Sequence, residues 1–271
     1  MDNRPIGVFD SGLGGLTAVR ELRRLMPNEN IIYFGDTGRM PYGGRPREQM
    51  RFIAAQNIAF AESFGVKVIL AACGTISSNA PDILEKNKTK TVGVLLPGAR
   101  ELALTGEKKL GVIATQTSIS SGAFQEQIAQ LVPAAEITAV ACPEFVPMIE
   151  SGHYKKDDPT VIDVVSRSLE PLKAAGVGAL LLGCTHYGLI AGAIGDFLGQ
   201  SAKLVGAADA SAQALARYLE ENDMLASCGG AEEYYTSGPA EDFDVLAPVM
   251  LGYGLKSAVH CIKPFPLEDR I

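Results

Sequence analysis

Short apolar runs alternate along the chain with longer segments in which apolar residues recur every three or four positions. The short runs have the length and composition of buried strands, whereas the longer segments have the spacing of amphipathic helices. One such helix carries Leu16, Val19, Leu22 and Leu25 and is followed by Pro27, which cannot continue it. Strands that alternate with helices predict an α/β fold with parallel sheets. The predicted strands are 6–9, 30–34, 66–72, 110–114, 136–141 and 177–182, and the predicted helices are 16–26, one opened by Pro46, 120–131, 159 to about 175, and 210–222.

The second half of the chain repeats the plan of the first half. The strand at 110–114 resembles the strand at 6–9, and a cysteine follows both the 66–72 and the 177–182 strands, at a similar offset in sequence. This duplication indicates two related halves, and Pro97-Gly98 between them has the composition of a linker. We expect the tail of the chain to pack back on the first half.

Composition and charge narrow the class of protein. The 271 residues are 47% hydrophobic and 20% charged, which is typical of a globular chain with room for one large or two ordinary domains. A net charge of −7 argues against a nucleic-acid partner, which requires a basic surface. The sequence shows neither an apolar run of membrane-spanning length nor a signal peptide. Five cysteines without a C-x-x-C pair suit the reduced thiols of the cytoplasm.

Two of the predicted strands end in similar chemistry. Cys73-Gly74-Thr75 follows the strand at 66–72, and Cys184-Thr185-His186 follows the strand at 177–182. In parallel sheets, ligands bind beyond the carboxyl ends of the strands. We therefore expect the two thiols to face each other across one small substrate.

The turn after the first strand, Asp10-Ser11-Gly12-Leu13-Gly14-Gly15, has the composition of an anion site at a helix start. It fails the dinucleotide fingerprint, because the third glycine position is Thr17, and Asp10 would repel a phosphate. A small ligand that carries both a carboxylate and an ammonium fits better, since Asp10 can face the ammonium. The alternative is a tight turn that binds no ligand.

Four interpretations of Cys73, Cys184 and His186 compete. The first is a metal site, but these residues do not have the usual ligand spacing and no second Cys/His pair completes the set. A composite metal site that includes Asp10 stays open. A cysteine nucleophile with a histidine base would leave the second thiol unexplained. The two cysteines could instead be inert residues of the core. In the fourth interpretation, the two thiols act as acid and base on opposite faces of one carbon. This interpretation accounts for the duplication, and inversion of a stereocentre needs that arrangement. Since no cofactor lysine is evident, such catalysis would be free of cofactors.

At these residues the chain resembles the cofactor-independent glutamate racemases of bacterial cell-wall synthesis, in the aspartate/glutamate racemase family, along nearly its full length. The motifs that carry the resemblance are Asp10-Ser11-Gly12-Leu13-Gly14-Gly15, Gly35-Asp36 with Pro41-Tyr42-Gly43, Cys73 with Thr75, Cys142-Pro143 through Pro147 to Glu150, and Gly183-Cys184-Thr185-His186-Tyr187.

The resemblance implies two pseudo-symmetric α/β domains, 1–97 with 208–271 and 98–207, and an active site in the cleft between them. It further implies Cys73 and Cys184 as the acid and base pair, Asp10 and His186 as their helpers, a homodimer, and a role in supplying D-glutamate for peptidoglycan. The implied substrate-binding residues are Asp10, Ser11, Pro41, Tyr42, Gly43, Gly74, Thr75, Ser118, Thr185 and His186.

The sequence departs from the family pattern at three positions. The family has Asn at the position of Gly74, commonly Thr at Ser118, and Pro at Gly188. Loss of the Asn amide removes a partner for the α-carboxylate of the substrate, so two alternatives stay open: a racemase for aspartate or a broader set of amino acids, and an amino-acid-binding homologue with weakened catalysis. If the backbone at position 74 tolerates Asn, Gly74→Asn is expected to raise kcat/KM for glutamate.

Overall fold

The computed structural model describes residues 1–199 and 201–263. Within these ranges no helix is long and apolar enough to cross a membrane. The strands are β1 (Ile6–Asp10), β2 (Ile31–Gly35), β3 (Val68–Ala71), β4 (Thr91–Gly93), β5 (Lys109–Ala114), β6 (Glu136–Ala141), β7 (Ala179–Leu182), β8 (Lys203–Gly206), β9 (Glu232–Thr236) and β10 (Val259–Cys261). The α-helices are α1 (Leu16–Leu25), α2 (Arg47–Glu62), α3 (Gly74–Asn79), α4 (Pro81–Lys86), α5 (Leu95–Leu104), α6 (Gln116–Ser120), α7 (Ala123–Leu131), α8 (Phe145–Glu150), α9 (Pro159–Ala175), α10 (Ala191–Leu198), α11 (Ala207–Glu221) and α12 (Asp242–Leu251), and Thr37–Arg39 and Thr185–Ile190 form 3₁₀ helices.

The strands form two sheets in which every pairing is parallel. The first sheet has the order β10-β9-β2-β1-β3-β4 and the second the order β6-β5-β7-β8. Strands β2-β1-β3-β4 of the first sheet correspond in position to strands β6-β5-β7-β8 of the second sheet. Strands β3 and β7 therefore occupy equivalent places. The predicted α/β fold with parallel sheets and two related halves is confirmed.

Helices cover the first sheet on both faces. Ile6 and Val8 of β1 belong to the same buried cluster as Leu16 and Leu22 of α1, whereas Phe9, on the opposite face of β1, packs in the cluster that contains residues of α2. A strand that is buried on both faces needs apolar residues at consecutive positions. This explains why the strands are continuous apolar runs in the sequence.

The tail of the chain returns to the first sheet, as expected. Strand β9 pairs with β2, and β10 pairs with β9 at the edge of the sheet. Helix α11 packs against α1. The predicted domain 1–97 with 208–271 includes residues 264–271, and the predicted domain 98–207 includes residue 200; these positions lie outside the described residues.

The prediction that Pro97-Gly98 forms a linker is wrong, because both residues lie in α5. Proline is compatible with the first turn of a helix, where the backbone N–H has no intrahelical partner. The absence of a side chain at Gly98 serves packing, since an added Cβ would lie 2.9 Å from Cδ1 of Leu181. The predicted helix 120–131 is also interrupted, at Gly122, whose φ of +74° separates α6 from α7.

Candidate active site

The two cysteines occupy equivalent positions in the two halves. Cys73 follows β3 and precedes α3, and Cys184 follows β7 and precedes the 3₁₀ helix Thr185–Ile190. Both side chains are buried, with 4% and 9% of their surface exposed. The two turns meet at the backbone, because the carbonyl oxygen of Gly183 lies against the Cα of Gly74. The strand ends that carry the two thiols therefore adjoin each other.

Asp10 lies at the end of β1 with its carboxylate enclosed by hydrogen-bond donors. One carboxylate oxygen accepts the backbone N–H of Ser11 at 2.7 Å, and the other accepts that of Gly15 at 2.6 Å. Burial raises the pKa of Asp10, although the charge of His186, these N–H groups and the thiol of Cys73 oppose the rise. A carboxylate with a raised pKa next to a thiol can exchange a proton with it.

Burial also raises the pKa of the Cys73 thiol far above its ordinary value. The negative charge of Asp10 raises it further, while the backbone N–H of Ile76 and the hydroxyl of Ser11 lower it in part. The raised pKa favours the protonated form of the Cys73 thiol. A protonated thiol is suited to donate a proton to a carbon that approaches it.

His186 lies between Cys184 and Glu150. Its Nδ1 is 3.7 Å from the sulfur of Cys184, and its Nε2 is 3.1 Å from a carboxylate oxygen of Glu150. Burial alone would lower the pKa of His186, but hydrogen bonds to Cys184 and Glu150 and the charges of Cys184 and Asp10 outweigh it and raise the pKa to about 10. The second thiol thus lies beside an imidazolium, as the first lies beside a carboxyl group.

Glu150 was not among the predicted site residues, although the motif from Cys142 to Glu150 pointed to this segment. It ends α8, which contacts the 3₁₀ helix that carries His186. A carboxylate on the far nitrogen of a histidine fixes the orientation of the ring and favours its protonated form. Glu150 is therefore a positioning residue for His186.

We expect Glu150→Gln to lower the pKa of His186, because the glutamine amide carries no negative charge. The measurement is the pH titration of the histidine Cε1–H resonances by NMR, with His186→Asn used to assign the signal among the three histidines. In the wild type the His186 signal should move only as the pH approaches about 10. The variant should titrate at lower pH, and an unchanged midpoint would contradict the assigned role of Glu150.

Several contacts tie the turns of the two halves together. The hydroxyl of Thr17 lies 2.8 Å from the carbonyl oxygen of Gly14 and 3.1 Å from that of Thr185. The ring of His186 packs against the Cα of Gly14, where an added Cβ would overlap it. These contacts fix the position of the turn that begins at Asp10 relative to the turn that carries His186. The sequence around Thr17 shows only a failed glycine position, because the contact of Thr17 with Thr185 spans the two halves.

A chain of hydroxyl groups forms a further link between the halves. Thr75 lies 3.2 Å from Thr115, oxygen to oxygen, and Thr115 lies 2.9 Å from Ser118. Thr75 and Ser118 were predicted site residues, and the structure places them in one hydrogen-bonded chain. Thr115, which joins them, was missed, although the run of hydroxyl residues Thr115, Thr117 and Ser118 directly after the strand at 110–114 was a signal for it.

The loop after β2 contains Pro41, Tyr42 and Gly43, which were predicted to contact substrate. The Tyr42 side chain is buried; its hydroxyl donates to Asp36 and accepts from the amide of Asn57. Pro41 and Gly43 are exposed, and the next residue, Gly44, donates its N–H to the hydroxyl of Thr117 in the other half. The aromatic side chain therefore holds the loop in place, and what the loop can offer to a ligand is its backbone.

The remaining cysteines differ in their placement. Cys142 is buried, and its carbonyl oxygen accepts the hydroxyl of Tyr187. Burial, with a smaller contribution from the charge of Cys184, raises the pKa of Cys142 to about 12. Cys228 and Cys261 are exposed. Among the described residues, no group of three or more His, Cys, Asp or Glu side chains is placed to hold a metal ion.

The site thus brings together Cys73, Cys184, Asp10, His186, Ser11, Gly74, Thr75 and Thr185. Each thiol has its own ionisable neighbour, and the two thiols are close enough for their charges to interact. Two such pairs on opposite sides of one carbon can remove a proton from one face and supply a proton to the other.

The chain is similar to known proteins over nearly its whole length. Residues 17–215 match the family model described as Asp/Glu/Hydantoin racemase. A glutamate racemase from Thermoanaerobacter pseudethanolicus is 38% identical over 264 residues, which are 96% of this chain and 98% of the relative. The crystal structure of glutamate racemase from Francisella tularensis in complex with D-glutamate matches with a TM-score of 0.89 at 34% identity, covering 99% of each chain. The crystal structure of glutamate racemase from Thermus thermophilus in complex with beta-chloro-D-alanine matches with a TM-score of 0.86 at 40% identity, covering 97% of this chain and 98% of the other. The chain therefore belongs to the Asp/Glu/Hydantoin racemase family and is an amino-acid racemase, an isomerase.

Proposed function

We propose that this protein interconverts L- and D-glutamate without a cofactor, with Cys73 and Cys184 as the two bases. The observation that carries the proposal is the arrangement of the thiols: two buried cysteines at equivalent strand ends of two related halves, each with its own ionisable partner. A single inversion requires one deprotonated thiol and one protonated thiol.

The reaction is a transfer of two protons at the α-carbon. One sulfur, as thiolate, takes the α-proton, so that the C–H bond breaks and an S–H bond forms. The opposite thiol gives its proton to the other face of the carbon and becomes a thiolate. The two sulfurs have then exchanged roles, which is the state that the other enantiomer requires, and proton exchange with Asp10 and His186 returns them to the starting state for the same enantiomer. The predicted binding residues Ser11, Thr75 and Thr185, with the backbone of the 41–43 loop, hold the substrate between the thiols.

The identity of the substrate rests on the relatives. The relatives described above are glutamate racemases that match this chain over nearly their whole length, and one is solved with D-glutamate. The test is to incubate the purified protein with a panel of single-enantiomer amino acids and to follow loss of optical rotation. We expect rapid racemisation of glutamate in both directions. Faster racemisation of aspartate would support the aspartate racemase alternative, and binding of glutamate without racemisation would support a weakened homologue.

We also propose the cellular setting that the resemblance implies. The enzyme would supply D-glutamate for peptidoglycan in the cytoplasm, where its five cysteines stay reduced, and would act as a homodimer. The two domains would comprise 1–97 with 208–271 and 98–207, and the substrate would bind in the cleft between them. The pairing of β9 with β2 supports the discontinuous first domain.

Racemisation should survive removal of metal ions. Protein dialysed against EDTA is expected to keep its full kcat, because the two thiols and their partners suffice for both proton transfers. Its absorbance spectrum should show no band beyond that of the aromatic residues. Activity lost on dialysis and restored by a divalent cation, or activity that appears only with added pyridoxal phosphate, would contradict cofactor-independent catalysis.

A further inference from the structure

The turn that carries Cys73 and the turn that carries Cys184 touch at a point with no side chain. An ideal Cβ built on Gly74 would lie well inside 3.0 Å of the carbonyl oxygen of Gly183, a separation that real Cβ atoms essentially never show. It would also lie 4.0 Å from the Cα of Cys184. Gly74 is buried, and its φ is not among the positive values of the chain. The glycine is therefore needed for close approach and not for its backbone conformation.

Both sides of this contact are backbone segments that are held by hydrogen bonds. The opposing atom is a backbone carbonyl, which has no rotamer to change. Gly183 donates its N–H to the carbonyl oxygen of Ile113 at 2.7 Å, and a Cβ on Gly183 would lie 2.9 Å from that oxygen and 3.2 Å from the ring of Phe124. On the other side, the carbonyl of Gly74 accepts the hydroxyl of Ser78 at 2.8 Å. A side chain at position 74 would consequently have to move the two turns apart.

We propose that Gly74 is a positioning residue that sets the separation of the two catalytic thiols. The inference rests on the proposed two-thiol reaction. Cys73 directly precedes Gly74 and Cys184 directly follows Gly183, so displacement of one turn from the other displaces the sulfurs. Both sulfurs must reach one carbon from opposite sides, and a misplacement of about 1 Å can cost roughly 100-fold in rate.

The geometry reverses the expectation from the sequence that Gly74→Asn would raise kcat/KM for glutamate. The only condition on that expectation was a backbone conformation that Asn tolerates, and the backbone at position 74 meets this condition. In this chain the space that the Asn side chain takes in the family is occupied, because the first carbon of a side chain at position 74 already meets the Gly183 carbonyl. We now expect Gly74→Asn to lower kcat/KM.

The experiment compares Gly74→Ala with Gly188→Ala, whose added Cβ would have no atom within 4 Å. The first readout is independent of activity: the rate at which iodoacetamide alkylates Cys73 and Cys184, followed by peptide mass spectrometry without substrate. A wider gap admits the reagent, so we expect faster alkylation in Gly74→Ala and the wild-type rate in Gly188→Ala. The second readout is steady-state kinetics, where kcat of Gly74→Ala should fall about 10- to 100-fold in both directions with a smaller change in KM.

Four outcomes would overturn the proposal: unchanged alkylation in Gly74→Ala, an unchanged kcat, a higher kcat/KM in Gly74→Asn, or a Gly74→Ala protein that does not fold by circular dichroism. The last counts against it because a spacing role leaves each half intact. If the wild type fails to racemise glutamate, the proposed function is lost, whereas the alkylation comparison still reports whether Gly74 sets the gap.

Discussion

Replacing either Cys73 or Cys184 with alanine is expected to lower kcat for glutamate racemisation by about 1,000-fold or more in both directions, because each inversion needs both an acid and a base. Neither half of the site can complete the transfer alone. The remaining thiol can still exchange the α-proton of the enantiomer that it faces, so each variant should exchange deuterium into one enantiomer and not invert it. The measurements are polarimetry for inversion and NMR for exchange.

The matched control is Cys228→Ala, which removes an exposed thiol outside the site and should leave kcat unchanged. A Cys73→Ala or Cys184→Ala protein that racemises glutamate within tenfold of the wild-type rate would contradict a two-thiol mechanism. Loss of exchange in both enantiomers from one substitution would indicate that a single cysteine serves both faces.

Asp10→Asn is expected to reduce kcat by roughly 100-fold, the order of magnitude of a lost proton-transfer partner. The backbone N–H groups of Ser11 and Gly15 point at the two carboxylate oxygens, so the amide nitrogen of asparagine would have to face one of them. The variant therefore loses both the carboxylate that neighbours Cys73 and a satisfied hydrogen bond. An unpaired buried donor costs about 1–3 kcal/mol, which thermal unfolding would detect.

Asp209→Asn is a suitable control for this substitution. Asp209, in α11, is another carboxyl group whose pKa is raised by burial, but its charged neighbours are Glu21, Arg20 and Arg24 and not the thiols. It should lose stability without a comparable loss of kcat. Equal kinetic effects of the two substitutions would show that Asp10 acts only through folding.

The parts of the site that lie at strand ends could be predicted from sequence. An apolar run followed by a polar residue indicates a buried strand and the edge of the sheet at which it ends, so Cys73, Cys184 and Asp10 were placed correctly relative to their strands. The similar plan of the two halves then brought equivalent ends together. These are local patterns that need no knowledge of packing.

Contacts between residues far apart in sequence could not be predicted in the same way. Glu150 lies 36 positions from His186, and Thr17 lies 168 positions from Thr185. Periodicity describes one element at a time and contains nothing about which turn meets which. The same limit explains Gly74, where the sequence shows a missing amide and only the packing shows that the Gly183 carbonyl occupies the place of a side chain.

The prediction of a linker at Pro97-Gly98, which was based on composition, is wrong. Proline and glycine commonly mark loops, but Pro97 lies in the first turn of α5 and Gly98 allows that helix to approach Leu181. The Tyr42 side chain is a different case. Its flanking proline and glycine are typical of a loop, and Tyr42 lies in one, while the bonds from its hydroxyl to Asp36 and Asn57 depend on partners elsewhere in the fold.

The most direct test of the central claim is racemisation of each glutamate enantiomer in D₂O, stopped at low conversion and analysed by mass spectrometry after separation of the enantiomers. With two facing thiols, the product enantiomer carries deuterium at the α-carbon because the donating thiol has exchanged with solvent. The recovered substrate carries almost none, whichever enantiomer is supplied. Substantial deuterium in the recovered substrate from both directions would show that one base serves both faces and would contradict the account.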